Sequence, residues 1–340
     1  MIGRILIVGL GSIGKRHLRL ARELNPVADI RVLRHQACDR TPEFADGCFS
    51  SLEQAVDFSP QLSVIANPAS FHTPVAIALA KSGSHLLIEK PLAASLSDVP
   101  QLLGIVKQKS LVLLAGYNLR FLPSLQRFRH LLHEGIVGKV LSIRCEVGQY
   151  LPDWRPDSDY RIGVSARREL GGGVLLELSH ELDYLRWIFG DVQWVRGLLC
   201  KQSALEVDVE DTAHLLLGFL HNVALGQPIA MVNLDCIRHD STRTCTVIGA
   251  SGSLRWNGIT GVVEHFSARG SAWTEVFYQP HQRDDSFRGE WRHCLDCIES
   301  GTAPVVSGED GLVVLRIIEA ARQSAKTEGL QVAIAGGLCS

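Results

Sequence analysis

The stretch VGLGSIGKRH, residues 8–17, constrains the fold of this chain more than any other feature. Residues 5–8 form a short apolar run, which is typical of a strand buried on both faces of a parallel sheet. Residues 13–24 then alternate apolar and basic positions at helical spacing. A glycine-rich loop between a strand and a helix is the setting in which helix N–H groups bind a phosphate. The sequence therefore predicts a dinucleotide site here rather than an ordinary turn.

The glycines of this loop have separate steric tasks. Gly9 permits the tight turn, Gly11 leaves room for a pyrophosphate, and Gly14 lets the helix pack closely on the strand. We expect the loop as a whole to bind the cofactor through Gly9, Gly11, Ser12, Ile13 and Gly14.

Composition excludes several classes of protein. The 340 residues suit two domains, and 46% hydrophobic with 21% charged residues is ordinary for a globular protein. A net charge of -2 gives no reason to expect nucleic acid or an anionic membrane as partner. No apolar run approaches the ~20 residues of a membrane span, and basic residues follow the first apolar run where a signal peptide would be cleaved. We predict a cytoplasmic protein.

The nine cysteines are dispersed and odd in number, which favours reduced thiols over a disulfide framework. Cys294 and Cys297, preceded by His293, have the spacing of a redox or zinc site. They lie in a helical segment without a second ligand pair, so we predict a structural role and no bound metal.

The order of predicted elements gives an α/β fold class. Strands and helices alternate over the first 115 or so residues, which predicts a parallel sheet with helices on both faces. Beyond residue 120, longer strands separated by turns indicate an antiparallel sheet, interrupted by helices at 173–189 and 287–300.

Two domains follow from this order. We predict an N-terminal Rossmann dinucleotide-binding domain over residues 1–120 and a C-terminal α+β domain over residues 121–340. The second domain, with a mostly antiparallel open sheet, is expected to bind substrate. The last amphipathic helix, about 308–325, either stays with that domain or packs back on the first.

Ligands of parallel sheets bind beyond the carboxyl ends of the strands. The second strand ends before Arg34 and His35, about twenty positions past the glycines, where NAD-specific proteins carry an acid for the ribose 2′-hydroxyl. Here no carboxylate follows until Asp39. A guanidinium can pair with a 2′-phosphate, so we predict NADP as cofactor, with NAD as the alternative. Stacking of Arg34 on the adenine is the competing interpretation.

Three motifs together resemble the Gfo/Idh/MocA family, the relatives of glucose–fructose oxidoreductase and inositol dehydrogenase. They are GLGSIG at 9–14, NPASFH at 67–72 followed by EKP at 89–91, and GGGVLLELSHELD at 171–183. The segments 118–121 and 135–138 fit as well, so the resemblance covers nearly the whole chain. It implies hydride transfer between a nicotinamide and a carbinol or carbonyl carbon of a sugar, an inositol or a nucleotide-linked sugar.

The resemblance implies that Lys90 relays the proton. Alcohol oxidation needs a group that takes the hydroxyl proton, and a lysine beside a nicotinamide's positive charge has its ammonium form disfavoured. Asn67, His72 and Glu89 are expected to contact the cofactor together with Lys90, and Pro91 to follow a cis peptide bond. The alternatives are that Asn67 caps a turn and that His72 is an ordinary loop residue.

Glu177, His180 and Asp183 are spaced by three residues and are predicted to share one helical face with catalytic roles. The family's acid is an aspartate four residues before the histidine, where this chain has Leu176, so the role of Glu177 stays open. A histidine packed in a core is the alternative for His180. Without a second ligand cluster we predict no metal.

Residues 150–170 lack any period, and loops of that length are usually functional or disordered. Their aromatic and basic side chains suit an anionic sugar, although nearby acids nearly cancel the charge and leave a merely solvated loop as the alternative. The predicted substrate-binding residues are Arg120, Tyr150, Trp154, Arg155, Arg168 and His180.

Two function classes remain from the sequence. The first is an oxidoreductase; the second is a regulatory protein that uses the same fold to sense NADP(H). Lys90 and His180 together favour the enzyme, because a sensor has no need of them. The resemblance also implies a homo-oligomer, a dimer or tetramer, through the second-domain sheet.

Overall fold

The computed structural model describes residues 2–35, 40–280 and 282–334, so Asp39 lies outside the described residues. The chain divides into two compact units. The first comprises Met1–Asn118, Glu169–Gly171 and Phe287–Leu315, and the second comprises Leu119–Arg168, Gly172–Ser286 and Arg316–Ser340. Phe287–Leu315 thus groups with the first unit, whereas the sequence assigned everything after residue 120 to the substrate domain. The functional division at residue 120 stays a prediction.

The first unit is built on a six-stranded parallel sheet of order β3-β2-β1-β4-β5-β6. The order reverses between β1 and β4, and ligands of such sheets bind at this switch point. The Rossmann prediction is confirmed. The elements are β1 (Arg4–Val8), α1 (Ser12–Leu24), β2 (Asp29–Leu33), β3 (Gly47–Phe49), α2 (Leu52–Asp57), β4 (Leu62–Ile65), α3 (His72–Lys81), β5 (His85–Glu89), α4 (Val99–Gln108) and β6 (Leu113–Gly116).

The second unit contains a nine-stranded sheet of order β14-β13-β12-β11-β7-β10-β9-β8-β15. Among the described strands of this sheet, only β7 and β10 pair in parallel, so the predicted mostly antiparallel sheet is confirmed. The elements are α5 (Pro123–His133), β7 (Val140–Gly148), α6 (Val174–Glu177), α7 (His180–Phe189), β8 (Val192–Cys200), β9 (Thr212–Phe219), β10 (Ile229–Asp235), β11 (Thr242–Gly249), β12 (Gly252–Asn257), β13 (Val262–Ser267) and β14 (Thr274–Tyr278). After them come α8 (Asp285–Ser300), α9 (Gly308–Lys326) and β15 (Val332–Ala333).

The core of the first unit explains why α8 belongs to it. Fully buried residues of the central strands, among them Ile5, Ile30 and Val64, form one apolar cluster. Trp291 and Cys294 from α8 belong to the same cluster, and both are 0% exposed. Burying an aromatic side chain of this size is a major stabilising contribution, and it fixes α8 to this sheet.

The sequence predicted one continuous helix over residues 173–189, and this prediction is wrong. The segment is divided into α6 and α7, with Leu178 and Ser179 between them. The Ser179 hydroxyl donates to the Leu176 carbonyl oxygen at 2.9 Å. Such a bond competes with the helical ladder, which accounts for the interruption.

Among the described cysteines, Cys48 is the one that departs from the prediction. Six described cysteines are free thiols, including Cys294 and Cys297. Burial raises the pKa of both of these thiols, and buried thiols of raised pKa are unreactive, which supports a structural role. Cys48 is disulfide-bonded, and this corrects the expectation of reduced thiols at that position.

Candidate active site

The glycine loop leaves the N-terminus of α1 open to an anion. Gly9 has φ +87°, and a Cβ there would lie 2.8 Å from the Asn67 nitrogen, so a side chain does not fit. In contrast, a Cβ on Gly11 would meet no atom within 4 Å. The first turn of α1 has neither an acidic residue nor a side-chain cap, so its N–H groups face this space. The loop, with Ser12 exposed and Ile13 half-buried, fits a pyrophosphate.

Arg34 follows directly on β2, at the carboxyl end of the sheet. Its backbone nitrogen donates to the Phe49 oxygen at 3.0 Å, which ties the segment to β3. The Arg34 side chain is half-buried, and His35 is exposed. Both residues therefore lie at the edge where the sequence predicted the adenosine ribose.

Two buried polar atoms follow β4. Neither Asn67 Oδ1 nor Ser70 Oγ has a hydrogen-bond partner. Buried polar atoms are nearly always paired in folded proteins, so both atoms fit a ligand that brings its own hydrogen bonds to this edge. Sequence reasoning missed Ser70, although it lies within the NPASFH motif that carried the resemblance.

The His72 side chain connects two loops of the first unit. Its side chain is 1% exposed, with Nε2 2.8 Å from the Asn67 oxygen and Nδ1 3.0 Å from the Pro91 oxygen. Burial lowers the pKa of His72 despite these hydrogen bonds. Both ring nitrogens are engaged within the protein, and the expected contact of His72 with the cofactor stays a prediction.

The segment Glu89–Pro91 closes β5. The Lys90–Pro91 peptide bond is cis, as the resemblance implied, and the Lys90 side chain is half-buried. Glu89 is 6% exposed; its Oε1 accepts from His17 Nε2 at 2.7 Å and its Oε2 from the Lys90 nitrogen at 3.1 Å. These bonds give Glu89 partners within the protein, and its expected contact with the cofactor stays a prediction.

Glu89 is a carboxylate in this setting. Burial works to raise the pKa of Glu89, but the hydrogen bond from His17 and the charge of Lys90 outweigh it, and the net shift is downward. A negative charge therefore lies next to Lys90 at the carboxyl end of the sheet.

In the second unit, Arg120 and Asp183 are paired with each other. Arg120 Nε donates to Asp183 Oδ2 at 2.9 Å and Nη2 to Oδ1 at 2.6 Å, with the side chains 4% and 1% exposed. Asp183 lies one turn after His180, the first residue of α7, which is 9% exposed. The bidentate pair thus anchors the helix that carries His180.

Glu177 is separate from this pair. It ends α6, whereas His180 begins α7, so the prediction of one helical face shared by Glu177, His180 and Asp183 is wrong. The Glu177 Oε1 accepts from the Ser165 hydroxyl at 3.0 Å, which holds the 150–170 loop against α6.

The 150–170 segment is organised by short turns, and its side chains have internal partners. The Tyr150 ring lies 4.2 Å from the His239 ring, and Trp154 Nε1 donates to the Gln149 oxygen at 2.9 Å. Arg155 is exposed, and Arg168 Nη2 donates to the Asp208 oxygen at 2.9 Å. A surface groove of about 500 Å³ adjoins this segment, lined by Asp159, Arg161, Ile162, Arg167, Glu206, Val207 and Asp208.

Lys90 lies in the first unit and His180 in the second, and the site residues of each unit form their own group. Among the described residues, no group of three or more His, Cys, Asp or Glu has the arrangement of a metal site. No helix in the described part of the chain is long and apolar enough to cross a bilayer.

Both halves of the chain match models of one protein family. Residues 3–117 match its NAD-binding Rossmann fold and residues 129–334 its C-terminal alpha/beta domain. The chain belongs to the Gfo/Idh/MocA oxidoreductase family. Membership confirms the resemblance and makes this protein an oxidoreductase with a dinucleotide-binding domain.

Relatives of this oxidoreductase act on sugars and inositols. A myo-inositol 2-dehydrogenase of Thermotoga maritima is 27% identical over 338 residues, covering 94% of this chain and 96% of the relative. A D-xylose 1-dehydrogenase [NADP(+)] of Haloarcula marismortui is 23% identical, covering 84% of this chain and 76% of the relative. The structure of a levoglucosan dehydrogenase with NADH and levoglucosan has a TM-score of 0.82 at 21% identity, covering 98% of this chain and 99% of that one.

Proposed function

We propose that this oxidoreductase transfers a hydride between NADP(H) and a carbinol or carbonyl carbon of a sugar, an inositol or a nucleotide-linked sugar. One observation carries the proposal: Lys90 directly follows β5 beside a buried carboxylate, in the same unit as the open glycine loop. The activities of the relatives support the substrate class.

The residues that would hold the dinucleotide lie along one edge of the first sheet. N–H groups of the glycine loop suit the pyrophosphate, and Arg34 suits a 2′-phosphate. Asn67 Oδ1 and Ser70 Oγ, both buried and without partners, suit the polar groups of the cofactor. When bound, the nicotinamide supplies the hydride acceptor or donor.

Lys90 is proposed to handle the proton at its Nζ atom. In oxidation it takes the proton of the substrate hydroxyl, and in reduction it returns one. Glu89 keeps a compensating charge beside it. In the second unit, His180 is proposed as a further substrate-binding or proton-handling group, held by the pair of Arg120 and Asp183.

Replacement of Lys90 tests the function. We expect Lys90→Ala to lower kcat by at least about 100-fold, the usual weight of a general acid or base, with little change in cofactor affinity. Turnover is measured by NADPH absorbance on a panel of sugars, inositols and UDP-sugars, with Lys81→Ala, an exposed lysine of the same unit, as control.

Two results would contradict the proposal. Near-normal turnover of Lys90→Ala would remove Lys90 from the mechanism. Tight NADPH binding without turnover of any panel member would support the regulatory sensor instead.

We also propose that the protein is a cytoplasmic homo-oligomer, a dimer or tetramer, joined through the second-domain sheet. Apolar side chains on one face of this sheet are exposed; they are Leu141, Leu198, Leu216, Ile229 and Met231. Contiguous exposed apolar residues often mark an interface, and a second copy of the chain would cover them.

A further inference from the structure

A chain of three buried side chains runs from α8 to Lys90. Trp291 Nε1 donates to His17 Nδ1 at 2.9 Å, and His17 Nε2 lies 2.7 Å from Glu89 Oε1. Glu89 Oε2 in turn accepts from the Lys90 nitrogen. Trp291 and His17 are both 0% exposed, so no solvent competes for these bonds. We refer to Trp291, His17 and Glu89 as the indole–imidazole–carboxylate chain.

Trp291 fixes the tautomer of His17. An indole N–H donates but cannot accept, so His17 Nδ1 must be the acceptor in this contact. A neutral imidazole with a lone pair on Nδ1 carries its proton on Nε2, and Nε2 faces Glu89. His17 therefore donates permanently to the Glu89 carboxylate.

Glu290, the neighbour of Trp291 on α8, is the second carboxyl in this region. It is 0% exposed, and neither of its oxygens has a hydrogen-bond partner. An ionised carboxylate in such a place lacks any compensation. Burial and the charge of Glu89 both raise the pKa of Glu290, so Glu290 is a neutral acid while Glu89 is ionised.

We propose that Trp291, His17 and Glu290 are positioning residues that keep Glu89 as the single buried carboxylate beside Lys90, and so set the electrostatic environment in which Lys90 exchanges its proton. This inference rests on the proposed function. The titratable groups that face Glu89 come from four elements; they are His17 on α1, His72 on α3, Lys90 after β5 and Glu290 on α8.

Loss of the indole N–H would release this arrangement. Without Trp291, His17 Nδ1 loses the donor that fixes its lone pair, and the ring can then invert its tautomer, which leaves an Nε2 lone pair facing Glu89. The inversion removes the hydrogen bond that stabilises the Glu89 carboxylate next to Lys90, without touching a group that contacts substrate. The effect should therefore fall on kcat and its pH profile and spare KM.

The test compares Trp291→Phe with Trp256→Phe. Trp256 is also 0% exposed and its Nε1 donates to Ser124 Oγ at 3.1 Å, but it lies in the second unit. Long-range ¹H–¹⁵N spectra report the tautomer of His17. The His17 signals are assigned as those that are absent from the spectrum of His17→Asn. We expect the His17 Nε2–H signature to be lost in W291F, with kcat lowered about tenfold and KM unchanged. In W256F we expect the Nε2–H signature and kcat to equal those of wild type.

Two further variants examine the carboxyls. Glu89→Gln removes the charge beside Lys90, so the acidic limb of the pH profile of kcat/KM should move to lower pH, and W291F should move it in the same direction. Infrared spectra should show one protonated carboxylic acid band that disappears in Glu290→Gln. An intact Nε2–H signature in W291F, or no band lost in E290Q, would overturn the proposal.

The spectra are recorded without substrate, which separates the two proposals. If the spectra lack the expected changes, the positioning role of Trp291, His17 and Glu290 is overturned. Normal turnover of Lys90→Ala overturns only the proposed function.

Discussion

At the scale of single residues, the buried Glu290 should make the free energy of unfolding depend on pH. Burial and the Glu89 charge raise its pKa above the ordinary value of 4.5. Between 4.5 and the raised value, the folded chain binds one proton more than the unfolded chain. The free energy of unfolding therefore falls as pH rises through this window, by about 1.4 kcal/mol per pH unit, and the loss ends above the folded pKa.

Glu290→Gln should remove this dependence, because the amide does not ionise. We expect the free energy of unfolding of the variant, relative to wild type, to increase by about 1.4 kcal/mol per pH unit from pH 5 upward until the folded pKa is passed. Urea unfolding at pH 5, 6, 7 and 8 without cofactor measures it, with Glu43→Gln, an exposed position of the same unit, as control. Parallel curves for E290Q and wild type would contradict the prediction.

Arg34 decides the proposed cofactor preference. Arg34→Asp places a carboxylate where NAD-specific proteins hold the ribose 2′-hydroxyl, and it repels a 2′-phosphate. We expect the dissociation constant for NADPH to rise at least about tenfold while that for NADH is unchanged or lower. Equal loss of both cofactors would indicate adenine stacking, and tighter NADH binding by wild type would contradict the preference. Fluorescence titration of each cofactor measures both constants.

The buried residues that surround Lys90 were partly accessible from sequence. His17 lies on the stripe formed by Gly14, Leu18 and Ala21 on α1, and this spacing marks it as buried. Its partner Trp291 is 274 residues away along the chain. No local pattern carries such a contact, since only the packing of α8 on the sheet brings the two rings together.

At the scale of elements, the strongest sequence signals were those with a long period or a fixed motif. The Rossmann strands other than β3 were predicted because each is a mainly apolar run. The three-residue β3 and the strand β14, with five residues and no fully buried position, lack such a signal. The interruption between α6 and α7 depends on one serine hydroxyl, which hydrophobic periodicity does not register.

Kinetic measurements can show whether the arginines of the 150–170 segment bind the substrate or only face solvent. Arg168 is held by Asp208, while Arg155 is exposed. If the substrate is anionic, Arg155→Ala and Arg168→Ala should each raise KM about tenfold and change kcat less, because they act in binding. Steady-state kinetics on the best substrate of the panel measure both constants. An unchanged KM in both variants would assign the segment to a solvated surface.

At the scale of the whole molecule, the exposed sheet face is the feature that a monomer leaves unexplained. Met231 is opposite Leu216 on one neighbouring strand and Arg144 on the other, and Ile229, two residues earlier on β10, lies on the same face. Met231 is 48% and Ile229 46% exposed. A face of this kind, central in the sheet, can be covered by the same face of a second copy about a twofold axis.

Met231→Lys should therefore disrupt the proposed oligomer. A twofold interface would bury the new charge twice, and an unpaired buried charge costs several kcal/mol. We expect the dissociation constant of the oligomer to rise at least about a hundredfold, measured by size-exclusion chromatography with light scattering over a range of concentrations. Val223→Lys is the matched control, because Val223 is 97% exposed but lies in the turn between β9 and β10. Two results would contradict this assignment: a monomeric wild type, or an M231K variant whose mass equals that of wild type at every concentration. Equal dissociation of M231K and V223K would indicate a contact through the turn instead of the sheet.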